Sequence, residues 1–559
     1  MRKGTRCSSS LVGTLGSIAI AALVGPAISP AALLAQSSAP VPPEAPVRYD
    51  EDLLPPAFHA GRRALVRDLL PEGSVALFFS APERNRQNDV AFEYRQDSDL
   101  LYLTGMTESG SVLLLAAEPV EVDGEEVTEL LFVPARDPAR ETWTGRRFGP
   151  GRAQEALGIA KAVDASRFEE IIGPLLASRR LFHTRLPDGV PAGSALAKQL
   201  ELVRERASLL SLPGGLSGFL ATRILGVGSP QAFASARALV ARVGGPDRMD
   251  DPQVRAMAKA LTEAPALGDW LLWKRTNVDE KYADGTTLPA ALARLRSVKT
   301  DEELALMRRA IDITADAQRE AMRSIEPGMH EYEVEGLIEY VFRREGAEYT
   351  GFPSIVGSGE NSVVLHYESN RRRMEAPDVV VMDIGAEYHG YSADITRTVP
   401  VDATFSEAQR AIYEIVLEAQ AAGIEAARAG SPFFAPNQAA FGVVASGLKR
   451  LGLIEGIDGA RRFLPHPVSH YLGLDVHDTG PYDELVPGQV ITVEPGIYIP
   501  ASADVDPKWW NIGVRIEDDV LVTDGDPVVL SEAAPRSVSD IEALMRETGI
   551  GNVPTGDGR

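Results

Sequence analysis

Hydrophobic and polar positions follow two different rhythms along the first half of this chain. Between residues 47 and 185, short apolar runs are bounded by glycine, proline or charged residues, as in "SVALFFSAP", "LLYLTGM", "SVLLLAAEP" and "VTELLFVPA". Such runs are typical of strands, and helical stretches separate them. Residues 195–290 are rich in alanine and leucine at helical spacing, as in "VRAMAKALTEA". The pattern predicts an α/β N-terminal domain with a helical extension over residues 47–290.

The pattern over residues 291–547 predicts helices first and strands afterwards. "TDEELALMRRAIDITADAQREAM" is an amphipathic run in which Thr300 precedes Glu303 by three residues, the spacing of a capping box. A second helix ends near Gly346, strands follow from 351 to 400, and a further helix covers "SEAQRAIYEIVLEAQAAGIEAARAG". Strands return at "GQVITVEPGIYI" and "GVRIEDDVLVTDG". This organisation belongs to the α+β class, and the glycine-rich residues 548–559 predict a flexible tail.

The first residues predict a segment that is removed before the protein works. "MRKGTR" is basic, an apolar run with small residues follows, and proline becomes frequent after Ala35. This order is typical of a secretory signal peptide, here residues 1–35, joined to a proline-rich linker over 36–46. The alternative is a retained membrane anchor, but Gly25 and Pro26 interrupt the run, which is short for a span. We therefore expect export to the periplasm or the exterior.

The net charge and the cysteine content argue against several classes of function. The formal net charge of −23 argues against nucleic-acid binding, because attraction to phosphate needs a basic face. The one cysteine, Cys7, lies inside the predicted signal peptide. The mature chain would thus have no disulfide, thiolate metal site or cysteine nucleophile, which suits an oxidising compartment.

Acidic side chains interrupt apolar strands in the C-terminal domain. Asp383 and Asp394 lie near the ends of the glycine-containing hairpin "MDIGAEYHGYSADITRT". Glu494 interrupts "VITVEPGIYI", and in "IGVRIEDD" a period of two places Arg515 and Glu517 on one face. For Glu517 alone, the solvated face of an edge strand is the favoured interpretation. Buried carboxylates are costly unless a partner or a metal compensates them.

Histidines accompany these acids. His466, His470 and His477 share the segment "LPHPVSHYLGLDVHDTG", and His366 follows an apolar pair in "VVLHY". Four acids and one histidine among apolar strands have the composition of an oxygen-rich binuclear metal site. Carboxylates suit hard divalent ions such as Mn²⁺, with imidazole as the softer ligand.

Five separate blocks resemble the pita-bread metallopeptidases, and within them the aminopeptidase P (Xaa-Pro aminopeptidase) family, in order and spacing. They are "IVGSGENSVVLHY", "DIGAEYHGYSADITRT", "SHYLGLDVHD", "TVEPGIYI" and "IGVRIEDD". The resemblance covers residues 290–545 and extends more weakly to "FEYRQDSDLLYLTGMTE" and "ETWTGRRFG". It implies a pita-bread catalytic domain of curved antiparallel sheet, preceded by the α/β domain, and a homo-oligomer. Residues 195–290 look longer than the family's usual connection.

The resemblance also implies roles for individual residues. Two divalent metal ions would be held by Asp383, Asp394, His470, Glu494 and Glu517, with Asp394 and Glu517 as the bridging carboxylates. His366 and His477 would steady the scissile peptide and the developing oxyanion. Glu494 would also carry the proton from the attacking water to the leaving proline nitrogen.

Three further residues resemble supporting positions of the family. Arg515 would orient a ligand carboxylate and balance its charge. Asp89 and Trp143 would approach the active site from the N-terminal domain. His466 precedes a proline where the family commonly has His-Gly, so the shape of this loop is open.

The implied activity is removal of the N-terminal residue from peptides with proline second, by a hydroxide that two metals generate from water. A prolidase that cuts only Xaa-Pro dipeptides is the main alternative. A methionine aminopeptidase is disfavoured by the large N-terminal domain. A non-catalytic pita-bread binding module or a metal-free creatinase-like hydrolase is disfavoured because all five ligand types are present.

The predicted signal peptide has a direct test. The chain expressed in a host with a secretory pathway should be recovered outside the cytoplasm with an N-terminus near residue 36, because the apolar run is followed by small residues that suit cleavage. Intact mass and N-terminal sequencing measure this. Exported material that still begins at Met1 would contradict the prediction.

Overall fold

The computed structural model describes residues 48–207, 215–279 and 284–552. From Asp50 onward these residues belong to one compact unit. The predicted signal peptide and the linker over 36–46 lie outside the described residues. Within the described ranges, no helix combines the length and the apolar character that crossing a bilayer requires. The predicted domain boundary near residue 290 stays a prediction.

A five-stranded mixed sheet forms the centre of the N-terminal part. The elements are α1 (Pro56–Asp68), β1 (Ser74–Phe79), β2 (Asn85–Gln87), β3 (Val90–Ala91), α2 (Ser98–Thr104), β4 (Val112–Val122), β5 (Glu125–Val133), α3 (Pro138–Thr144), α4 (Gly149–Leu157), β6 (Ala162–Asp164), α5 (Phe168–Ser178) and β7 (Arg180–His183). The strand order is β6-β5-β4-β1-β7. β1 is antiparallel to β4 and parallel to β7, so the sheet mixes both pairings as an α/β domain does.

The run "LLYLTGM" was predicted as a strand, and this is wrong, because it forms α2. The Asp97 carboxylate caps the helix by accepting hydrogen bonds from the N–H groups of Asp99 and Leu100, at 3.1 and 3.0 Å. Gly105 ends the helix in the left-handed region, at φ 68°. A short apolar run that is buried on every side shows no period of its own, so the cap and the terminating glycine decide its structure.

The helical extension was predicted correctly as helical. Its elements are α6 (Ala195–Ala207), α7 (Gly215–Leu225), α8 (Pro230–Arg242), α9 (Pro252–Glu263), α10 (Leu267–Lys274) and α11 (Thr287–Ser297). Helices α7 to α10 enclose a separate apolar core around Met257, Leu261 and the fully buried Trp270. This segment therefore folds around its own interior rather than serving as an extended connection.

Short antiparallel sheets and long helices make up the C-terminal part. The elements are α12 (Asp301–Ser324), α13 (Glu331–Arg344), β8 (Tyr349–Thr350), β9 (Ile355–Ser358), β10 (Val379–Ile384), β11 (Ala386–Tyr388), β12 (Tyr391–Ser392), β13 (Ile395–Pro400), α14 (Glu407–Ala426), α15 (Ala435–Arg450), β14 (Val490–Val493), β15 (Gly496–Ile499), β16 (Ile512–Arg515), β17 (Asp518–Leu521), β18 (Val528–Val529) and α16 (Val538–Leu544). The sheets have the orders β13-β10-β9, β12-β11-β8, β14-β17-β18 and β15-β16, and every strand pair in them is antiparallel. One apolar core joins the helices to the sheets.

The register of β10 and β13 places the first two acids together. Asp383 pairs with Thr396, so Asp394 lies two residues from the partner of Asp383. Gly385 permits the close approach of the two strands, since a Cβ there would overlap the carbonyl of Ala393. The hairpin thus brings both carboxylates to one end of the sheet.

The ends of the catalytic part are fixed by specific hydrogen bonds. Thr300 and Glu303 form the predicted capping box at the start of α12: the Thr300 hydroxyl accepts from the Glu303 N–H at 3.3 Å, and the Glu303 carboxylate accepts from the Thr300 N–H at 2.9 Å. In the predicted flexible tail, residues 549–552 are tied to the end of α12, where Asn552 donates to the Ser324 carbonyl at 2.9 Å. Residues 553–559 lie outside the described residues.

Candidate metal centre

A cavity of about 400 Å³ lies where the ends of β10, β13, β14, β16 and β17 meet. It is lined by Leu365, His366, Asp383, Asp394, Phe434, His466, Pro467, Ser469, His470, His477, Tyr482, Glu494, Arg515 and Glu517. The structure therefore brings all five predicted metal ligands to one place. It also brings the two predicted substrate histidines and Arg515 to the same wall.

Three of the acids are held by the strands that carry them. Asp383 lies within β10, and Asp394 comes directly before β13, where its N–H donates to the carboxylate of Asp519 at 3.2 Å. Glu517 connects β16 to β17, and its N–H donates to the carbonyl of Thr396 at 3.1 Å. Only 2% of Glu517 is exposed, which excludes the solvated-edge interpretation.

His470 and Glu494 come from two segments that pair beside β14. The Thr492 N–H donates to the carbonyl of His470 at 3.0 Å, and the Glu494 N–H donates to the carbonyl of Val468 at 2.9 Å. This pairing leaves His470 Nε2 at 3.4 Å from Asp394 Oδ2 and at 3.7 Å from Glu494 Oε1. The imidazole therefore faces the carboxylates that the hairpin supplies.

The donor atoms fit a hard divalent cation. Asp394, His470 and Glu517 each offer one ligand atom, and these atoms all lie within 4.8 Å of one another. Asp383 Oδ1 and Asp394 Oδ1 are buried and have no hydrogen-bond partner, which is costly unless a cation binds them. His470 Nδ1 lies 3.0 Å from the Tyr471 carbonyl and donates to it, so the Nε2 lone pair is available to a metal.

Burial and mutual repulsion raise the proton affinity of these acids. Burial raises the pKa of Glu494 to about 7. Burial, followed by the charges of Asp383, Asp519 and Glu494, raises the pKa of Asp394 well above its ordinary value. Burial, followed by the charges of Asp394 and Glu494, also raises the pKa of Glu517 well above its ordinary value. A cation that displaces the protons would relieve both causes.

The guanidinium of Arg515 holds the cluster together through three hydrogen bonds. It donates to Asp383 Oδ2 at 2.5 Å, to the Tyr498 hydroxyl at 3.0 Å and to the Thr396 hydroxyl at 3.1 Å. Among the described residues that line the cavity, Arg515 is the only arginine or lysine. The single positive charge of Arg515 thus compensates only part of the negative charge of the cavity carboxylates.

Thr396 extends this hydrogen-bond network to a second acid, Glu517. Its hydroxyl accepts from Arg515 and donates to Glu517 Oε2 at 2.6 Å. Glu517 Oε2 is therefore fixed in direction, as a ligand carboxylate requires. The sequence could have indicated Thr396, since it lies two positions after Asp394 and therefore on the same face of the strand.

His466 lies in the cavity wall as a neutral imidazole. Burial lowers its pKa to about 4. Its Nδ1–H then donates to the Pro467 carbonyl at 2.8 Å, and Nε2 accepts from the Tyr498 hydroxyl at 2.9 Å. The proline that departs from the family pattern is thus compatible with a fixed histidine at the site. The sequence reasoning gave no role to His466 or Tyr498.

His366 and His477 face the same cavity from two loops. The rings of His470 and His477 meet edge to face, with centroids 4.3 Å apart. Burial and then the neighbouring His470 lower the pKa of His477. A neutral imidazole at this place offers an N–H to an oxygen of a bound peptide.

Asp89 and Trp143 lie outside the cavity of the single chain, so their approach to an active site stays a prediction. Asp89 is in the exposed turn between β2 and β3, and Trp143 on α3 is 88% exposed. The short hairpin and the short helix carry both side chains into solvent. The apolar part of the wall comes instead from Leu365, Phe434 and Tyr482, which the sequence reasoning missed because loops bring them there.

Family models match two parts of the chain. Residues 305–524 match metallopeptidase family M24, and residues 59–183 match the N-terminal domain of aminopeptidase P. The Xaa-Pro aminopeptidase of Escherichia coli (strain K12) is 35% identical over 500 residues, which cover 87% of this chain and 97% of that protein. The Xaa-Pro dipeptidase of Mus musculus is 35% identical over 318 residues, which cover 48% of this chain and 64% of that protein.

Solved structures give the same assignment. The structure of aminopeptidase P from E. coli with the inhibitor Pro-Leu superposes with a TM-score of 0.69 at 32% sequence identity. The match covers 88% of this chain and 98% of that chain. The likeness therefore extends over both the N-terminal and the C-terminal parts described above.

The raised pKa values predict a pH-dependent response to metal. A carboxylate whose pKa is raised in the folded state stabilises the metal-free protein below its ordinary pKa, near about 4.3, and loses that contribution as the pH rises through the folded value. Since Glu494 titrates at about 7, fewer protons compete with a cation at pH 8 than at pH 6. Saturating Mn²⁺ should therefore raise the Tm of chelator-stripped protein by more at pH 8.

Differential scanning fluorimetry with and without Mn²⁺ at both pH values measures this increment. Glu494→Gln is the control, because it removes the proton that titrates near neutral pH and should reduce the difference between the two increments. Equal increments at pH 6 and pH 8 in the unmodified chain would contradict the prediction.

Proposed function

The chain belongs to the aminopeptidase P group of metallopeptidase family M24, and from this membership we propose that it removes the N-terminal residue of peptides whose second residue is proline. The observation that carries the proposal is the cavity in which four buried carboxylates converge with His470. M24 membership makes the enzyme a metal-dependent hydrolase. The 97% coverage of the E. coli relative supports the same activity for the whole chain.

Two divalent ions, with Mn²⁺ as the preferred metal, form the proposed cofactor. Asp383, Asp394, His470, Glu494 and Glu517 would hold them, with Asp394 and Glu517 shared between the two ions. Four carboxylates and one imidazole favour a hard ion. When bound, the ions supply an activated water and an electrophile for the peptide carbonyl.

Glu494 is placed to carry the proton that proline chemistry demands. The nitrogen of an Xaa-Pro bond carries no hydrogen, so the leaving amine must receive a proton from outside the peptide. Glu494 lines the cavity between His470 and His466, with carboxylate oxygens 3.7 Å from each ring. It can therefore accept a proton from the attacking water and deliver it to the nitrogen.

His366 and His477 would orient the carbonyl that is attacked. Both line the cavity beside the acids. A neutral His477 can donate its N–H to the oxygen of the scissile carbonyl and follow it as negative charge develops. Phe434 and Tyr482, whose rings stack at a centroid distance of 6.4 Å, offer an apolar surface for the peptide.

The charge of the cavity wall favours an aminopeptidase over a dipeptidase. A dipeptidase must recognise the free carboxylate of the product proline, which requires an available cation near the site. Within the described cavity lining, Arg515 is the only such cation, and Asp383, Thr396 and Tyr498 already occupy it. Longer peptides, which place an amide at that position, meet no such requirement.

Export and self-association complete the proposal. The apolar segment before Ala35 supports a signal peptide and hence a periplasmic or secreted enzyme. The family resemblance implies a homo-oligomer, and the 88% exposed Trp143 leaves α3 accessible to another subunit. Light scattering of the mature chain measures the second point, and a monomer at micromolar concentration would contradict it.

Substrate length and proline preference test the proposed activity. kcat/KM should be higher for Xaa-Pro-Xaa tripeptides and longer chains than for Xaa-Pro dipeptides, since the cavity has no free cation for a product carboxylate. Peptides with alanine second should be cut far more slowly. A strong preference for the dipeptide would make the enzyme a prolidase, and equal cutting at alanine would reject proline specificity.

Single replacements test the assigned roles. Asp394→Ala and Glu517→Ala should lose activity together with bound metal, because a shared carboxylate serves both ions. His477→Ala should keep the metal and lose about 100- to 1000-fold in kcat, the usual cost of a missing oxyanion donor. Elemental analysis beside steady-state kinetics separates these outcomes. If His477→Ala lost the metal while Glu517→Ala kept it, the roles assigned to these two residues would be wrong.

A further inference from the structure

The loop that carries His477 is closed at its base and held by groups from outside the cavity. Tyr471 and Asp478 form an isolated antiparallel bridge, in which the Asp478 N–H donates to the Tyr471 carbonyl at 2.8 Å. Asp475 and Asp478 flank His477 on its two sides. Their carboxylates contact Arg296, which lies outside the cavity lining.

Arg296, near the end of α11, binds both flanking carboxylates at once. Its guanidinium donates to Asp475 Oδ2 at 2.7 Å and makes a second, short contact with Asp478 Oδ1. A third arm donates to Asp99 Oδ1, in α2 of the N-terminal part, at 2.8 Å. The Arg296 side chain is 5% exposed, and the Asp478 side chain is 1% exposed. One buried cation thus joins three segments that are distant in sequence.

Three more side chains hold the loop that carries His477. Lys299 Nζ lies 3.3 Å from Asp478 Oδ2, and the Ser98 hydroxyl donates to Asp475 Oδ1 at 2.7 Å. Arg95 contacts the Leu474 carbonyl and pairs with Glu387 at 2.8 Å. The contacts that Ser98, Arg95 and Lys299 make with the loop come from the N-terminal part and from the segment after α11, and none of them involves a proposed metal ligand.

Packing at the base of the loop leaves little room for movement. A Cβ added at Gly473 would overlap Asp478 Oδ2 and come within 2.7 Å of Lys299 Nζ. The Ser392 N–H donates to the Gly473 carbonyl at 2.8 Å, which fixes the loop against β12. Among the described residues, His477 lies at the cavity surface with its ring against that of His470, and the loop that carries it sets its position.

We propose that Arg296 is a positioning residue for His477: by holding Asp475 and Asp478, it sets the place of the imidazole against the scissile carbonyl, and Asp99 couples that placement to the N-terminal part. This rests on the proposed function of the cavity. The attachment gives the α/β domain, which contributes no residue to the described cavity lining, a way to influence the chemistry. A displacement of a catalytic group by about 1 Å can cost about 100-fold in rate.

A double-mutant cycle between Arg296 and His477 tests the proposal. Arg296→Met should lower kcat about 10- to 100-fold with the metal content unchanged, because the imidazole loses its position and the ligands do not. Arg296→Met combined with His477→Ala should be no slower than His477→Ala alone, since Arg296 acts through that imidazole. If the two losses multiply in the double variant, the proposal is overturned.

Arg63→Met is the matched control. Arg63 is fully buried and is bound to Glu129 at 2.8 Å and to the carbonyls of Leu103 and Gly158, all within the N-terminal part. Its loss should lower the Tm and leave kcat of the folded enzyme unchanged. Arg296→Lys should be more active than Arg296→Met, since the lysine ammonium can replace only some of the hydrogen bonds that the planar guanidinium makes. An equal kcat loss in both methionine variants would reduce Arg296 to a stability role.

Hydrogen–deuterium exchange keeps the inference distinct from the proposed activity. Residues 472–479 should exchange faster in Arg296→Met than in the unmodified chain or in Arg63→Met, whether or not the enzyme cuts Xaa-Pro peptides. Should Arg296→Met fail to fold, Asp475→Asn removes one arm of the same attachment and takes its place in each measurement. Unchanged exchange in whichever variant folds would overturn the proposal, and absent peptidase activity in all variants would reject only the proposed function.

Discussion

Repulsion among buried carboxylates is the constraint on which the catalytic half of this chain depends. Asp394 and Glu517 lie within ligand reach of His470 inside a wall that excludes water from most of their surface. Such a cluster is unfavourable in isolation, because burial and then the neighbouring acids raise the pKa of Asp394 and Glu517. A divalent cation would offset both causes. Metal binding would therefore stabilise the fold as well as supply the chemistry.

The surrounding residues hold the acids in place against this repulsion. Arg397, fully buried behind the site, donates to the Glu517 carbonyl at 2.6 Å and to Asp518 at 2.7 Å. Asp519 accepts the Asp394 N–H from the opposite side. These contacts act on the backbone of the ligands, while Arg515 and Thr396 act on their side chains. The strands and these hydrogen bonds thus keep the donor atoms converged, as a metal site requires.

Much of this could be predicted from the sequence, because acids within apolar strands conflict with burial and point to a compensating partner. That argument located Asp383, Asp394, Glu494 and Glu517, and resemblance supplied their roles. The strand prediction failed at "LLYLTGM", where the Asp97 cap and Gly105 outweighed a short apolar run that has no period of its own. Phe434, Tyr482 and the attachment of Arg296 to the His477 loop arise from long-range contacts, which no local pattern encodes.

The N-terminal part contacts the catalytic part at the loop that carries His477. Asp89 and Trp143 are exposed in the single chain, whereas Ser98 contacts that loop directly and Asp99 contacts it through Arg296. The influence of that domain on the chemistry is therefore structural: it fixes a loop through buried ion pairs, whose removal leaves uncompensated charge. The helical segment α7 to α10, with its own core, adds mass to the chain without reaching the cavity lining.

The central claim is that the carboxylate cluster holds two divalent ions. Crystals of the mature chain grown with Mn²⁺, with anomalous diffraction data collected at the manganese edge, test it most directly. The account predicts two anomalous peaks per chain within the cavity, with Asp394 and Glu517 touching both and His470 touching one. An absence of peaks, with the carboxylates paired to one another through shared protons, would contradict it.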